Sequence, residues 1–209
     1  MTRLFSDRLF SALVYANTSH SHVKTNIGVG QVRKYTGDAY IVHPIEVMNI
    51  LSGVTQDEDV LIAALLHDVV EDTQDDGAGR NAAFIQNEIH ALFGERVQKL
   101  VLEVTDISRP SDGNRAVRME IDRQHYALAS PDGKSIKLAD VISNTSKIME
   151  LDRRFAQKYI QEKALLLEFL TEGAPGLYEM ATKVIVSVYE DFGMSIPSHL
   201  RNTDRPAPK

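Results

Sequence analysis

Between Ala64 and Thr73 the chain reads Ala-Leu-Leu-His-Asp-Val-Val-Glu-Asp-Thr. An apolar run leads into adjacent His67 and Asp68, and two further carboxylates, Glu71 and Asp72, follow one helical turn later. Residues four apart share a helix face, which sets His67 over Glu71 and Asp68 over Asp72. A neutral imidazole and a carboxylate can bind a divalent cation, and further acids close by can position a water or take its proton. The stretch has the outline of a metal-dependent hydrolase.

Two other segments supply metal-type ligands. Tyr40-Ile41-Val42-His43-Pro44 puts a histidine just before a helix, and Ile136-Lys137-Leu138-Ala139-Asp140 embeds one acid in an apolar helical segment. Each has a plainer reading. A histidine before proline commonly marks a helix entry, and acid–imidazole pairs occur as ordinary surface contacts. Asp140 says more, because a carboxylate on a largely apolar helix must be paired, metal-bound or solvent-facing. Together His43, His67, Asp68 and Asp140 would give two imidazoles and two carboxylates. That set suits Mn²⁺, Fe²⁺ or Zn²⁺ better than Ca²⁺, which prefers all-oxygen sites. The chain has no cysteine, so thiolate ligands and disulfides are excluded.

The elements that must hold these groups read as helices nearly throughout. The pattern predicts helices over 5–17, from Pro44 to about Leu51, and from Val60 through the His-Asp pair to near Thr73, with Thr55 and Glu58 as a capping box. Further helices are expected over 84–93, 96–104, 115–129, 135–151, 156–170 and 177–192. Residues 18–40 read as an irregular connection, and Asp75–Gly79, Arg109–Gly113 and Pro131-Asp132-Gly133 as breaks. The expected fold is all-α: a single-domain helical bundle over 1–200, about eight to ten helices, with a disordered tail over 201–209.

The 209 residues, 43% hydrophobic and 25% charged, suit one soluble domain. A net charge of −6 weighs against a nucleic-acid partner but leaves a small phosphate ligand open. No apolar run reaches the roughly 18 residues of a membrane span, and the N-terminus carries no signal-peptide core. A cytoplasmic location is expected. A homodimer stays open.

The order H…HD…D resembles the HD superfamily of metal-dependent phosphohydrolases. The resemblance narrows with Gly30-Gln31-Val32-Arg33-Lys34, Tyr40-Ile41-Val42-His43-Pro44, the His67-Asp68-Val69-Val70-Glu71-Asp72-Thr73 block, Phe93-Gly94, Val101–Thr105 and Leu138-Ala139-Asp140 with Asn144. Over roughly residues 10 to 150 the chain is similar to the hydrolase domain of the RelA/SpoT alarmone family, and looks like a stand-alone small alarmone hydrolase. The resemblance implies an HD-domain helical bundle that holds Mn²⁺ on His43, His67, Asp68 and Asp140. It implies that Glu71 and Asp72 orient and deprotonate the attacking water. The implied reaction is hydrolysis of the 3′-pyrophosphate of (p)ppGpp to GDP or GTP and pyrophosphate. Arg33 and Lys34 match the family's nucleotide-lining pair, and Asn144 matches an asparagine near the ribose. Lys137 and Lys147 flank Asp140 and could offset phosphate charge, and Arg118 falls in a segment loosely similar to a basic one of the family.

The chain departs from the family pattern at Val141, where a basic residue is usual, and at Ser143, where histidine is frequent. Its segment before Gly30, through His20, Ser21, His22 and Asn26, is longer. These departures leave room for an HD phosphohydrolase acting on another nucleotide, such as a dNTP or the 2′-phosphate of NADPH. A different class of alternative is a non-catalytic nucleotide-binding module, although degenerate HD domains usually lose the ligands or acids that this chain retains.

Overall fold

The computed structural model describes residues 6–25, 28–34, 36–73, 80–146 and 148–201. The loop expected over 75–79, Lys147 and the tail beyond Arg201 lie outside the described residues. The all-α reading holds: among the described residues there are twelve α-helices, nine of them nine residues or longer. A single pair of two-residue strands accompanies them. The sequence carries no linker signature, yet the contacts gather into two compact units, Met1–Thr105 and Asp106–Lys209.

The first unit is organised around α3 (Glu58–Leu66), whose residues Val60 and Ile62 to Leu66 are all buried. A helix apolar on every side must be covered on every side. Three helices pack against α3: α1 (Asp7–Ser21), α2 (Val42–Ser52) and α6 (Glu95–Val104). α1 turns Leu9, Ala12 and Ala16 inward, and α2 contributes Val47, Met48 and Leu51. Only a short connection joins α2 to α3, so they run antiparallel. The start of α2, with His43, therefore meets the end of α3, with His67.

The helix expected to run through the His-Asp pair is broken there: α3 stops at Leu66, and α4 covers Val69–Thr73. The His67 ring supplies a cause. Its Nδ1 lies 2.8 Å from the Ala64 carbonyl, the acceptor that the Asp68 N–H would use in an unbroken helix. Helical geometry resumes at once, with the Asp72 N–H bonded to the Asp68 carbonyl at 2.9 Å. The expected capping box is also absent. Asp57 caps α3 by accepting from the Asp59 N–H, and Thr55 instead accepts from the Asp57 N–H. α5 (Ala82–Phe93) is followed directly by α6, and Gly94 with φ 94° makes that single-residue junction.

The described residues of 18–40 carry more regular structure than expected. α1 continues to Ser21, and β1 (Lys24–Thr25) pairs antiparallel with β2 (Gly28–Val29). Backbone bonds close the base of this pair, from Gly30 N–H to Val23 O at 2.8 Å and from Gln31 N–H to His20 O at 2.9 Å.

The second unit is built on α8 (Pro131–Thr145). The sequence reading took Pro131-Asp132-Gly133 for a turn, but these residues are its first turn. Ser130 caps it by accepting from the Gly133 N–H, and Pro131 occupies a position that needs no donor. Every residue from Gly133 to Ser143 is buried. The helix expected over 135–151 ends at Thr145, and α9 (Ile148–Leu151) follows. α10 (Arg153–Leu167) and α11 (Pro175–Asp191) pack on α8. α7 (Arg115–Ala127) precedes α8, and a short α12 (Ser198–Arg201), which the sequence did not signal, ends the described chain. No helix among the described residues is long and apolar enough to cross a membrane.

Gly173 sits tightly against α8. A Cβ there would lie 2.6 Å from Leu138 Cδ1 and 3.2 Å from the Lys134 carbonyl carbon. Gly173→Ala should destabilise the protein by about 1–3 kcal/mol, the usual cost of overpacking. The check is the thermal midpoint, and an unchanged midpoint would show that α8 and its neighbours yield freely.

Candidate metal centre and the acids beside it

In the first unit, His43 comes from the start of α2, and His67 and Asp68 from the break between α3 and α4. Both imidazoles are buried, each with a side chain only 1% exposed. Their rings cross edge-on with centroids 5.2 Å apart, and they offer nitrogens within 4.8 Å of one another. Asp68 lies between them. His67 Nε2 is 3.0 Å from Asp68 Oδ1, and His43 Nε2 is 3.6 Å from Oδ2.

The donor chemistry of this cluster calls for a positive charge. A carbonyl only accepts, so the Ala64 contact places the His67 proton on Nδ1 and turns the Nε2 lone pair toward the carboxylate. In a neutral ring that sets two acceptors face to face. A proton or a cation between them resolves the conflict, and two imidazole nitrogens with a carboxylate oxygen are good ligands for a divalent metal. The residues present fit such an ion.

Asp68 is also held from the side. The Tyr40 hydroxyl donates to its Oδ2 at 2.7 Å. Burial and the negative charges of Asp68 and Asp72 push the Tyr40 pKa far up, so the phenol keeps its proton and remains a donor. Asp72, one turn beyond Asp68, accepts from Gln31 Nε2 at 2.8 Å, and Gln31 Oε1 lies 2.8 Å from His20 Nδ1. Burial, and secondarily the Asp68 charge, push the Asp72 pKa up from 3.8 to about 6, although Gln31, Tyr40 and His67 pull the other way. Glu71 is half-buried on α4 beside it.

Asp140 stands on α8 of the second unit, 5% exposed. Asn144 Nδ2 donates to its Oδ1 at 2.6 Å, and the Lys137 ammonium is 3.2 Å from Oδ2. Both neighbours were expected on the substrate, and both are engaged with this carboxylate. Lys137 also lies over the Tyr126 ring, 4.7 Å from its centroid. Arg118 is half-buried on α7, and its Nε has no hydrogen-bond partner among the described residues. Arg33 is half-buried and Lys34 exposed in the connection before α2, where the Arg33 N–H bonds the Asp38 carbonyl at 2.8 Å.

Sequence reasoning missed Tyr40, Gln31 and His20 as parts of the site. All three lie in quoted motifs or beside them. What was lacking was the fold of residues 18–40, which alone brings them to Asp68 and Asp72. The departures Val141 and Ser143 are both buried, at 0% and 4% exposed, so neither changes an accessible surface.

The HD domain family model matches residues 12–166, and the chain belongs to the HD domain family. Among its relatives, the GTP pyrophosphokinase rsh of Brucella ovis is 31% identical over 177 residues, 82% of this chain and 21% of that protein. The chain thus spans about a fifth of the length of such relatives. Mouse guanosine-3′,5′-bis(diphosphate) 3′-pyrophosphohydrolase MESH1 is 32% identical over 170 residues, 77% of this chain and 84% of that protein. A solved structure, described as a metazoan ortholog of SpoT that hydrolyzes ppGpp, superposes with a TM-score of 0.72 at 27% identity. It covers 93% of this chain and 100% of that one. The resemblance to RelA/SpoT hydrolase domains is borne out.

The raised Asp72 pKa has a stability consequence. The folded protein holds this proton more tightly than the unfolded chain, so the contribution favours folding at low pH and is lost as pH rises from about 4 to about 6. In EDTA, the thermal midpoint of wild type minus that of Asp72→Asn should fall across this window. A flat difference curve would remove the perturbed carboxyl from the account.

Proposed function

We propose that this chain is a metal-dependent (p)ppGpp 3′-pyrophosphohydrolase. In this reading His43, His67, Asp68 and Asp140 hold one divalent cation, with Mn²⁺ the first choice. The observation that carries it is the convergence of the His43 and His67 ring nitrogens on the Asp68 carboxylate, with Glu71 and Asp72 one turn away, in a chain 32% identical to the mouse hydrolase. When bound, the cation acts as a Lewis acid on a phosphoryl oxygen and lowers the pKa of a bound water.

The protein's own groups do the rest. The His67 Nδ1–H bond to Ala64 reserves Nε2 for ligation, and the Tyr40 hydroxyl fixes the rotamer of Asp68. Glu71 and Asp72 orient the attacking water and take its proton. Water oxygen bonds to the 3′-phosphorus, the bond from that phosphorus to O3′ breaks, and O3′ leaves protonated on GDP or GTP while pyrophosphate departs. Asp72, with a pKa near 6, suits a group that must be ionised at neutral pH yet still accept a proton. Arg33 and Lys34 line the nucleoside. Asn144 and Lys137 hold Asp140 and face ribose and phosphate from the same helix. Arg118, on α7, is assigned as a further cation for the phosphates. The reaction is cytoplasmic, where nucleotides of this class are found.

The test is pyrophosphate release from ppGpp with Mn²⁺, an EDTA control, and GTP, dGTP and NADPH in parallel. Mn²⁺-dependent release of GDP and pyrophosphate from ppGpp alone is the expected result, and turnover of another nucleotide in its place would sink the substrate assignment. Asp68→Ala and Asp140→Ala should abolish both Mn²⁺ binding and turnover. Glu71→Gln should keep the metal and lose rate by about 10²- to 10⁴-fold, the usual worth of a general base. Near-full activity of Glu71→Gln would overturn its role toward the water.

A further inference from the structure

The hydrogen-bond chain from His20 through Gln31 to Asp72 has a polarity that chemistry fixes. An ionised carboxylate only accepts, so Gln31 must present its amide nitrogen to Asp72, and Nε2 does lie 2.8 Å from Oδ2. The Gln31 oxygen is thereby turned to His20, and an amide oxygen also only accepts. His20 Nδ1, 2.8 Å away, must then carry the ring proton.

The surroundings of His20 agree. The residue is 2% exposed, and burial pushes its pKa down, which keeps the ring neutral with a bare lone pair on Nε2. That nitrogen is buried and has no hydrogen-bond partner among the described residues. The lone pair of a neutral ring is a cheaper group to leave there than an N–H or an imidazolium. The ring also lies against Tyr40, centroids 4.6 Å apart, and the His20 carbonyl accepts the Gln31 N–H at 2.9 Å. His20 and Gln31 are therefore clamped at two points, backbone and side chain, although they are 11 residues apart in sequence.

We propose that His20 is a positioning residue of the hydrolytic site: its Nδ1–H locks the Gln31 amide so that Nε2 holds the Asp72 carboxylate in place. Without that proton the amide can rotate by half a turn and bring its oxygen to Asp72, two acceptors in contact. His20 acts only through Gln31. The proposal rests on the reading of Asp72 as a water-orienting acid, and its test is built to separate the two.

Three variants divide the contributions. His20→Phe keeps a ring against Tyr40 and removes the donor. His20→Asn returns a donor near the place of Nδ1. Gln31→Met removes both hydrogen bonds at similar volume. With ppGpp and saturating Mn²⁺, kcat should fall about 10- to 100-fold in His20→Phe and Gln31→Met, with KM and Mn²⁺ affinity within about twofold of wild type. His20→Asn should recover most of the rate. Wild-type kcat in His20→Phe or Gln31→Met, or a His20→Asn as impaired as His20→Phe, overturns the proposal. Should His20→Phe fail to fold, Gln31→Met carries the kinetic test. A readout independent of activity is the ¹⁵N spectrum of wild-type His20, where a protonated Nδ1 and a bare Nε2 are expected. The opposite tautomer overturns the positioning role even in a protein that turns over ppGpp. A wild type with no ppGpp turnover but the expected tautomer sinks the substrate reading alone.

Discussion

Two imidazole nitrogens and a carboxylate, taken out of water and turned toward one another, cannot be left as they are. Each has lost hydration, and the His67 Nε2 lone pair faces the Asp68 carboxylate. Much of the first unit can be understood as the frame that imposes this arrangement. The all-apolar α3 forces α1, α2 and α6 around it. The short connection then brings the first turn of α2 to the last turn of α3, and the Ala64 carbonyl dictates which His67 nitrogen faces inward. A packed hydrophobic interior does not readily give way, so the polar groups at its edge are held at fixed separations whether or not an ion is there.

The proposed ligand residues were legible in the sequence because their signal is local. His67-Asp68 with Glu71-Asp72 obeys a four-residue period, and Asp140 stands out as a charge on an apolar helix. The all-α architecture was equally plain from periodicity. The supporting residues were not legible, for a reason that is physical. Tyr40, Gln31 and His20 reach Asp68 and Asp72 through a segment with no strong period, ordered by backbone hydrogen bonds that leave little trace in side-chain type. Helix ends were the other weak point. Pro131 read as a turn but opens α8, since proline suits a first helical turn as well as a loop. Thr55 and Glu58 formed a plausible capping pair, yet Asp57 had the better-placed oxygen.

The second unit meets a similar demand by different means. α8 is buried from Gly133 to Ser143 and still carries Lys134, Lys137 and Asp140. Each is answered close by: Lys134 by Glu172, Lys137 by Asp140 and the Tyr126 ring, and Asp140 by Asn144 as well. Asp140 is thus met by neighbours three residues before and four after it on its own helix. The pattern Lys-x-x-Asp-x-x-x-Asn is a local device for partnering a buried carboxylate. It accounts for Lys137 and Asn144 beside Asp140 before any substrate is considered.

The strand pair over 24–29 hangs from a neck. Gly30 bonds back to Val23 and Gln31 to His20, and both bonds are made by the main chain. Both bonds use main-chain atoms alone, so a change of side chain in the strands leaves them in place. Closing a longer loop on such a neck costs little, about 0.6 kcal/mol for each doubling of length. The segment is therefore a natural graft point, where evolution or an engineer can change length and composition while the machinery beneath keeps its register.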